Sequence, residues 1–327
     1  MNFQCKNCGG NMVFEPKSGK MFCQYCKSFD SETKTGDRSV TVCASCGGEI
    51  SIDTNVSSSQ CPYCGNFLVF DERLENNLEP KEILPFSITK EMAEETLKKV
   101  FKKRTFAPVG FFGKESFKNL KGDYVPFFLY DYNTVTEFDG TGTKSRSWIS
   151  GDKEYTETSY YHLIRKMRAG FSKVPADASY FDDQKMDTLE PFPYDRLKQF
   201  DPKYMSGFYG YIFDAPASSY EPRVKGRISG AVSRLLSESY AEFNGVRADV
   251  NETDFGLAKS EYVLMPVWEY EYQYKDRTYL CYVNGVTGKA VGEVPVSKKK
   301  VVGYSLFFGT VVWLLIQAGM LILEVLA

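Results

Sequence analysis

Five stretches of the chain carry a hydrophobic pattern strong enough to predict an element. From Val301 to Leu323 no charge occurs over 23 residues, enough for a helix to cross a bilayer core. Lys298-Lys299-Lys300 precedes this run and supplies the flank expected on the cytoplasmic side. The segment 301–324 therefore reads as one transmembrane helix, a tail anchor, with everything before it in the cytosol. Gln317 within it is a candidate hydrogen-bonding contact to another membrane helix.

Before the span the period changes from helix to strand and back. Ser87–Arg104 places Ile88, Met92, Leu97, Val100 and Phe101 on one helical face, with Ser87 or Thr89 as cap. Acids gather near its start and Lys98, Lys99, Lys102, Lys103 and Arg104 near its end. Tyr124–Tyr132 then alternates as a strand, and Asp139-Gly140-Thr-Gly142 reads as a turn. Helical period returns over Arg223–Phe243. In Tyr262–Tyr274 every even position is apolar or aromatic, while Glu269, Glu271 and Gln273 share the other face. Such a wall is a buried face or a binding platform, and the flanking carboxylates favour the buried face over one that stacks RNA bases. Asn284-Gly285 predicts a hairpin turn. Placing Pro126 on Pro266 aligns Phe128 with Trp268, Tyr130 with Tyr270 and Tyr132 with Tyr272, so the second half reads as a repeat of the first.

The N-terminal units, at about 35 residues each, cannot bury a sufficient core without a metal, and their cysteines supply a site for one. Cys5/Cys8, Cys23/Cys26, Cys43/Cys46 and Cys61/Cys64 are four Cys-x-x-Cys pairs. Fourteen residues separate the pairs within each half, and the halves superpose with a period of 38 residues. Two such turns present four thiolates to one ion in a tetrahedral site. Gly9 and Gly47 stand where each turn needs a positive φ, and Pro62 presets another turn. Disulfides, iron–sulfur ligation and redox chemistry compete with this reading, but redox pairs seldom come as four at matched spacing. We read two zinc ribbons, each folded by a structural Zn2+. Starting at Met1, the chain enters the first ribbon directly, without the charged and apolar run of a secretory leader.

Charge narrows the function. The formal net charge is −2, and residues 1–72 hold six Lys/Arg against eight Asp/Glu. A ribbon that grips phosphate would be basic, so nucleic-acid binding is the weaker alternative to protein docking. A single histidine, His162, lies in strand-like alternation, and Cys281 is the only cysteine outside the ribbons, a poor basis for a nucleophilic pair. No Gly-x-x-x-x-Gly-Lys-Ser/Thr loop occurs. The expectation is a non-enzyme, with an uncharacterised enzyme in the α+β body as a further alternative.

The expected organisation is α+β: zinc ribbons over 1–38 and 39–72, a duplicated helix-plus-antiparallel-sheet body over 81–200 and 201–297, and one C-terminal transmembrane helix. The paired ribbons, Leu84-Pro-Phe86, Gly122-Asp-Tyr-Val-Pro-Phe-Phe128, Val174-Pro-Ala-Asp-Ala-Ser179, Leu189-Glu-Pro-Phe192 and Tyr282–Pro295 together resemble a bacterial family of membrane-anchored proteins. Its members carry the label "TFIIB-type zinc ribbon" or, from the ribbons alone, that of the replication restart helicase PriA. The helicase label does not suit this chain, which lacks motor motifs. The resemblance implies the eight cysteines as zinc ligands and no catalytic residues. It further implies a membrane adaptor acting in envelope stress, with PspA-like or SPFH-like proteins as partners.

Overall fold

The structure, a computed structural model, describes residues 3–30, 34–35, 42–43, 45–51, 55–70, 74, 79–102, 104–108, 111 and 116–326. The expected ribbon boundaries at 38/39 and 72 and the basic residue Lys103 lie outside these residues. In chain order the elements are β1 (Phe3–Gln4), β2 (Met12–Glu15), β3 (Lys20–Cys23), β4 (Phe29–Asp30), β5 (Lys34–Thr35), β6 (Val56–Gln60), β7 (Phe67–Val69), β8 (Glu82–Ile83) and α1 (Lys90–Phe101). There follow β9 (Leu120–Ser150), β10 (Lys153–Asp177), α2 (Asp183–Leu189), β11 (Lys198–Gln199), β12 (Tyr209–Tyr211), α3 (Glu221–Glu238), β13 (Gly245–Tyr274), β14 (Arg277–Asn284), β15 (Ala290–Gly292) and α4 (Lys298–Leu326). This is an α+β protein with two N-terminal four-cysteine clusters, a mixed sheet and one long apolar C-terminal helix.

The two aromatic strands are neighbours in one sheet. They lie within β9 and β13, which pair antiparallel from Gly245 opposite Thr143 to Tyr270 opposite Leu120. Val125 faces Met265, Pro126 faces Leu264 and Pro266 faces Tyr124, so the echoing segments are related by a local twofold axis. β10 flanks β9 on its other side, and the main path runs β11-β8-β13-β9-β12-β6-β7.

At the root of these strands both faces are covered. Tyr124, Phe128, Tyr130, Leu264, Trp268 and Tyr270 pack beneath α1, α3 and the first ribbon. Val125, Phe127, Leu129, Val263, Met265 and Val267 pack against Met186 and Leu189 of α2 and Tyr282 of β14. The aromatic wall is thus core, and Glu269, expected on the open face, is buried too.

Beyond Tyr132 the three strands leave this core as a wing. Its inner part is covered on one face, where Phe138 and Leu163 meet Leu236 of α3 and Tyr240 and Phe243 after it. Towards its tip, Trp148, Ile149, Tyr155 and Tyr160 are exposed. The turn expected at 139–142 does not form: β9 runs through it and reverses at Gly151, whose φ is 62°. Gly140 and Gly142 serve close approach instead. A Cβ on Gly140 would lie 2.4 Å from the Arg247 carbonyl oxygen, and one on Gly142 2.8 Å from Leu163 and Phe243.

Other expectations need adjustment. Thr89 caps α1, accepting the Met92 N–H at 3.4 Å. The buried stripe of α1 is Ala93, Leu97 and Phe101, spaced by four, which leaves Met92 and Val100 beside it and nearly half exposed. Asn284-Gly285 opens a five-residue loop, not a two-residue turn, because the Asn284 Oδ1 accepts the N–H groups of Val286 and Thr287. The tight hairpin turn is Lys275-Asp276, with Lys275 at φ 57°.

Candidate metal centres

Each half of the N-terminal region folds two Cys-x-x-Cys turns toward one another. In the first, the Cys5 N–H donates to Gly10 O and the Gly9 N–H to Cys5 O, while Cys23 and Lys27 repeat the pattern with Ser28 O and Cys23 O. In the second, Cys43 and Gly47, then Cys61 and Gly65, do the same. The hinge position has positive φ in all four turns: Gly9 at 72°, Lys27 at 62°, Gly47 at 75° and Gly65 at 74°. Lys27 is the one residue there with a Cβ. The repeat extends to packing, since Tyr25 lies against Gly10 and Tyr63 against Gly48, each filling the space of a Cβ.

These turns bring together two sets of four sulfurs, Cys5/Cys8/Cys23/Cys26 and Cys43/Cys46/Cys61/Cys64, within 4.8 Å of one another in each set. The closest separations are 3.6 Å for Cys5–Cys26 and Cys8–Cys23, 3.7 Å for Cys43–Cys64 and 3.8 Å for Cys46–Cys61. A tetrahedral ion with metal–sulfur bonds of about 2.3 Å needs sulfurs about 3.8 Å apart, so both clusters fit one. Their surroundings differ. Ser28 Oγ lies 3.1 Å from Cys26 Sγ and 3.5 Å from Cys5 Sγ. With backbone N–H groups it lowers the Cys5 thiol to about 6, and it lowers Cys26 as well. The repeat puts Asn66 at that position in the second cluster, where burial pushes Cys64 up to about 12.

Neither ribbon swings free. The Phe14 N–H donates to Ser206 O and Ser206 Oγ to Met12 O, both at 2.7 Å, and Met12, Phe14 and Met21 enter the main core. β6 and β7 of the second ribbon continue the body sheet through β12, with Ser58 Oγ donating to Phe208 O at 2.9 Å.

The residues weighed for catalysis are not brought together. His162 lies on the exposed wing, 2.6 Å from Asp139. Cys281 sits at the sheet root under Gly292, and burial raises its thiol to about 12. The sequence reading missed three acids that the fold buries. Asp123 has no hydrogen-bond partner for either carboxylate oxygen among the described residues, and burial, then the charge of Glu269, holds it well above the usual range. Glu269 is raised by burial, and Asp177 is pushed by burial up to about 7. The signal was slight: Asp123 follows Lys121-Gly122 and only abuts the apolar run from Tyr124 to Tyr130.

The chain is similar to the uncharacterized protein YdjG of Bacillus subtilis (strain 168), with 33% identity over 316 residues that cover 93% of each chain. No family model matches it. No solved structure matches it.

Proposed function

The chain belongs to the family of Bacillus subtilis YdjG, and for it we propose a non-enzymatic adaptor at the cytoplasmic membrane, holding two structural zinc ions and recruiting partner proteins to the cytosolic face. The observation that carries this reading is the presence, in one chain, of two four-thiolate clusters and one exposed apolar helix. Four protein ligands per ion leave no position for substrate, which suits a structural metal. The helix from Lys298 to Met320 has the length and hydropathy of a span, and its apolar window is not buried against the body. By resemblance the partners are PspA-like or SPFH-like proteins and the setting is envelope stress.

Nucleic-acid binding is the weaker alternative, because the aromatic wall that would stack bases lies in the core. The anchored reading is tested on membranes from cells producing the full chain. Wild type stays in the pellet after alkaline carbonate, a chain lacking 301–327 moves to the supernatant, and the purified full chain contains two zinc ions. Release of wild type by carbonate, or iron in place of zinc, contradicts it.

A further inference from the structure

The helix α4 is joined to the body without slack. The Ser297 N–H donates to Phe106 O at 2.8 Å, Ser297 Oγ accepts the Lys300 N–H at 3.5 Å, and the Phe106 ring meets Tyr304 edge-on at 5.6 Å. The point at which the chain enters the bilayer is therefore fixed relative to the sheet. Beside it, a groove of about 510 Å³ opens between Arg104–Ala107 and Gly292–Val296, with Tyr279 on its floor.

The lining is amphipathic in the sense a lipid needs. Phe106, Ala107, Val294, Pro295 and Val296 are apolar, and the lining acid, Glu293, is paired with Lys185 at 3.2 Å. Arg104 is exposed, and its guanidinium forms no ion pair among the described residues, nor do the ammonium groups of Lys298 and Lys299. Val296 stands two residues before the lysines that mark the headgroup level, so the groove lies within about one helical turn, ~5 Å, of that level. We propose that this groove seats one anionic phospholipid of the cytoplasmic leaflet, its phosphate held by Arg104 and its proximal acyl carbons against Phe106, Val294 and Val296. A zwitterionic headgroup brings a positive charge into a site that already carries several, so the anionic lipid is preferred. This inference rests on α4 crossing the membrane.

The test uses the full chain in mild detergent, offered dioleoylphosphatidylglycerol or dioleoylphosphatidylcholine, with retained lipid counted by native mass spectrometry. One phosphatidylglycerol per chain is expected to survive where phosphatidylcholine does not. Arg104→Gln weakens that retention about fivefold, the effect of one basic side chain near an anionic surface. Arg146→Gln, the same change on the distant wing, leaves it unaltered. Equal retention of both lipids, equal effects of the two substitutions, or displacement by inorganic phosphate would overturn the assignment. Carbonate-released wild type would overturn the anchored reading itself, whereas membrane-retained protein that takes both lipids alike overturns only the groove.

Discussion

Asp177 gives the stability of this protein an unusual pH dependence. Its carboxyl is almost wholly buried; Oδ1 accepts from the Ser179 Oγ at 2.8 Å and N–H at 3.3 Å, and Oδ2 has no partner among the described residues. Burial pushes the group up to about 7 in the folded state, against about 3.9 in an unfolded chain. The folded state therefore binds the proton more tightly, and its advantage is complete below pH ~4 and lost as pH rises toward 7. The whole loss is about 4 kcal/mol, of which about 1.4 kcal/mol falls between pH 6 and 8. Asp177→Asn keeps an acceptor for Ser179 and removes the ionisation. Urea unfolding of both proteins in detergent with zinc present can follow the fluorescence of Trp268, whose indole N–H donates to Ile88 O in the core. Between pH 6 and 8 wild type should lose about 1.4 kcal/mol relative to Asp177→Asn. Parallel curves over that range would refute the reasoning.

Three further outcomes follow from the geometry. Gly140→Ala drives a Cβ into the Arg247 carbonyl and should cost about 1–3 kcal/mol, read as faster amide exchange where β9 and β13 pair in the wing. Lys27→Gly relieves a positive φ and should stabilise the first cluster by about 1 kcal/mol, measured as a higher chelator concentration at half-release of its metal. Stripping the metals should deprotect the Gly210 and Tyr211 amides as well as the ribbons, because β6 pairs with β12; protection that survives chelation would show that the second ribbon holds its place without an ion.

How far the sequence carries depends on the range of the interaction. The two four-cysteine clusters were legible because the chemistry is local: two residues between thiols fix a turn, and the 38-residue period repeats it. The apolar run of α4 was legible for the same reason. Gly140 and Gly142 misled because their glycines answer to Arg247 and Phe243, about a hundred residues along the chain. The extension of β9 and β13 into one long pair, the docking of Phe14 on Ser206 and the burial of Asp123 are likewise set by partners remote in sequence. Alternation at 262–268 marked one face as apolar but gave no sign that α2 covers the other.

Recruitment at the membrane is the claim on which the account turns, and a crosslinked pull-down of the full chain from native membranes tests it most directly. It is run beside Cys43→Ser/Cys46→Ser and beside Trp148→Ser/Tyr155→Ser at the exposed wing tip. The account predicts a PspA-like or SPFH-like partner with wild type that one of the two variants loses while remaining in the membrane. Recovery of nucleic acid in place of a protein partner, or the same proteins from all three chains, would contradict it.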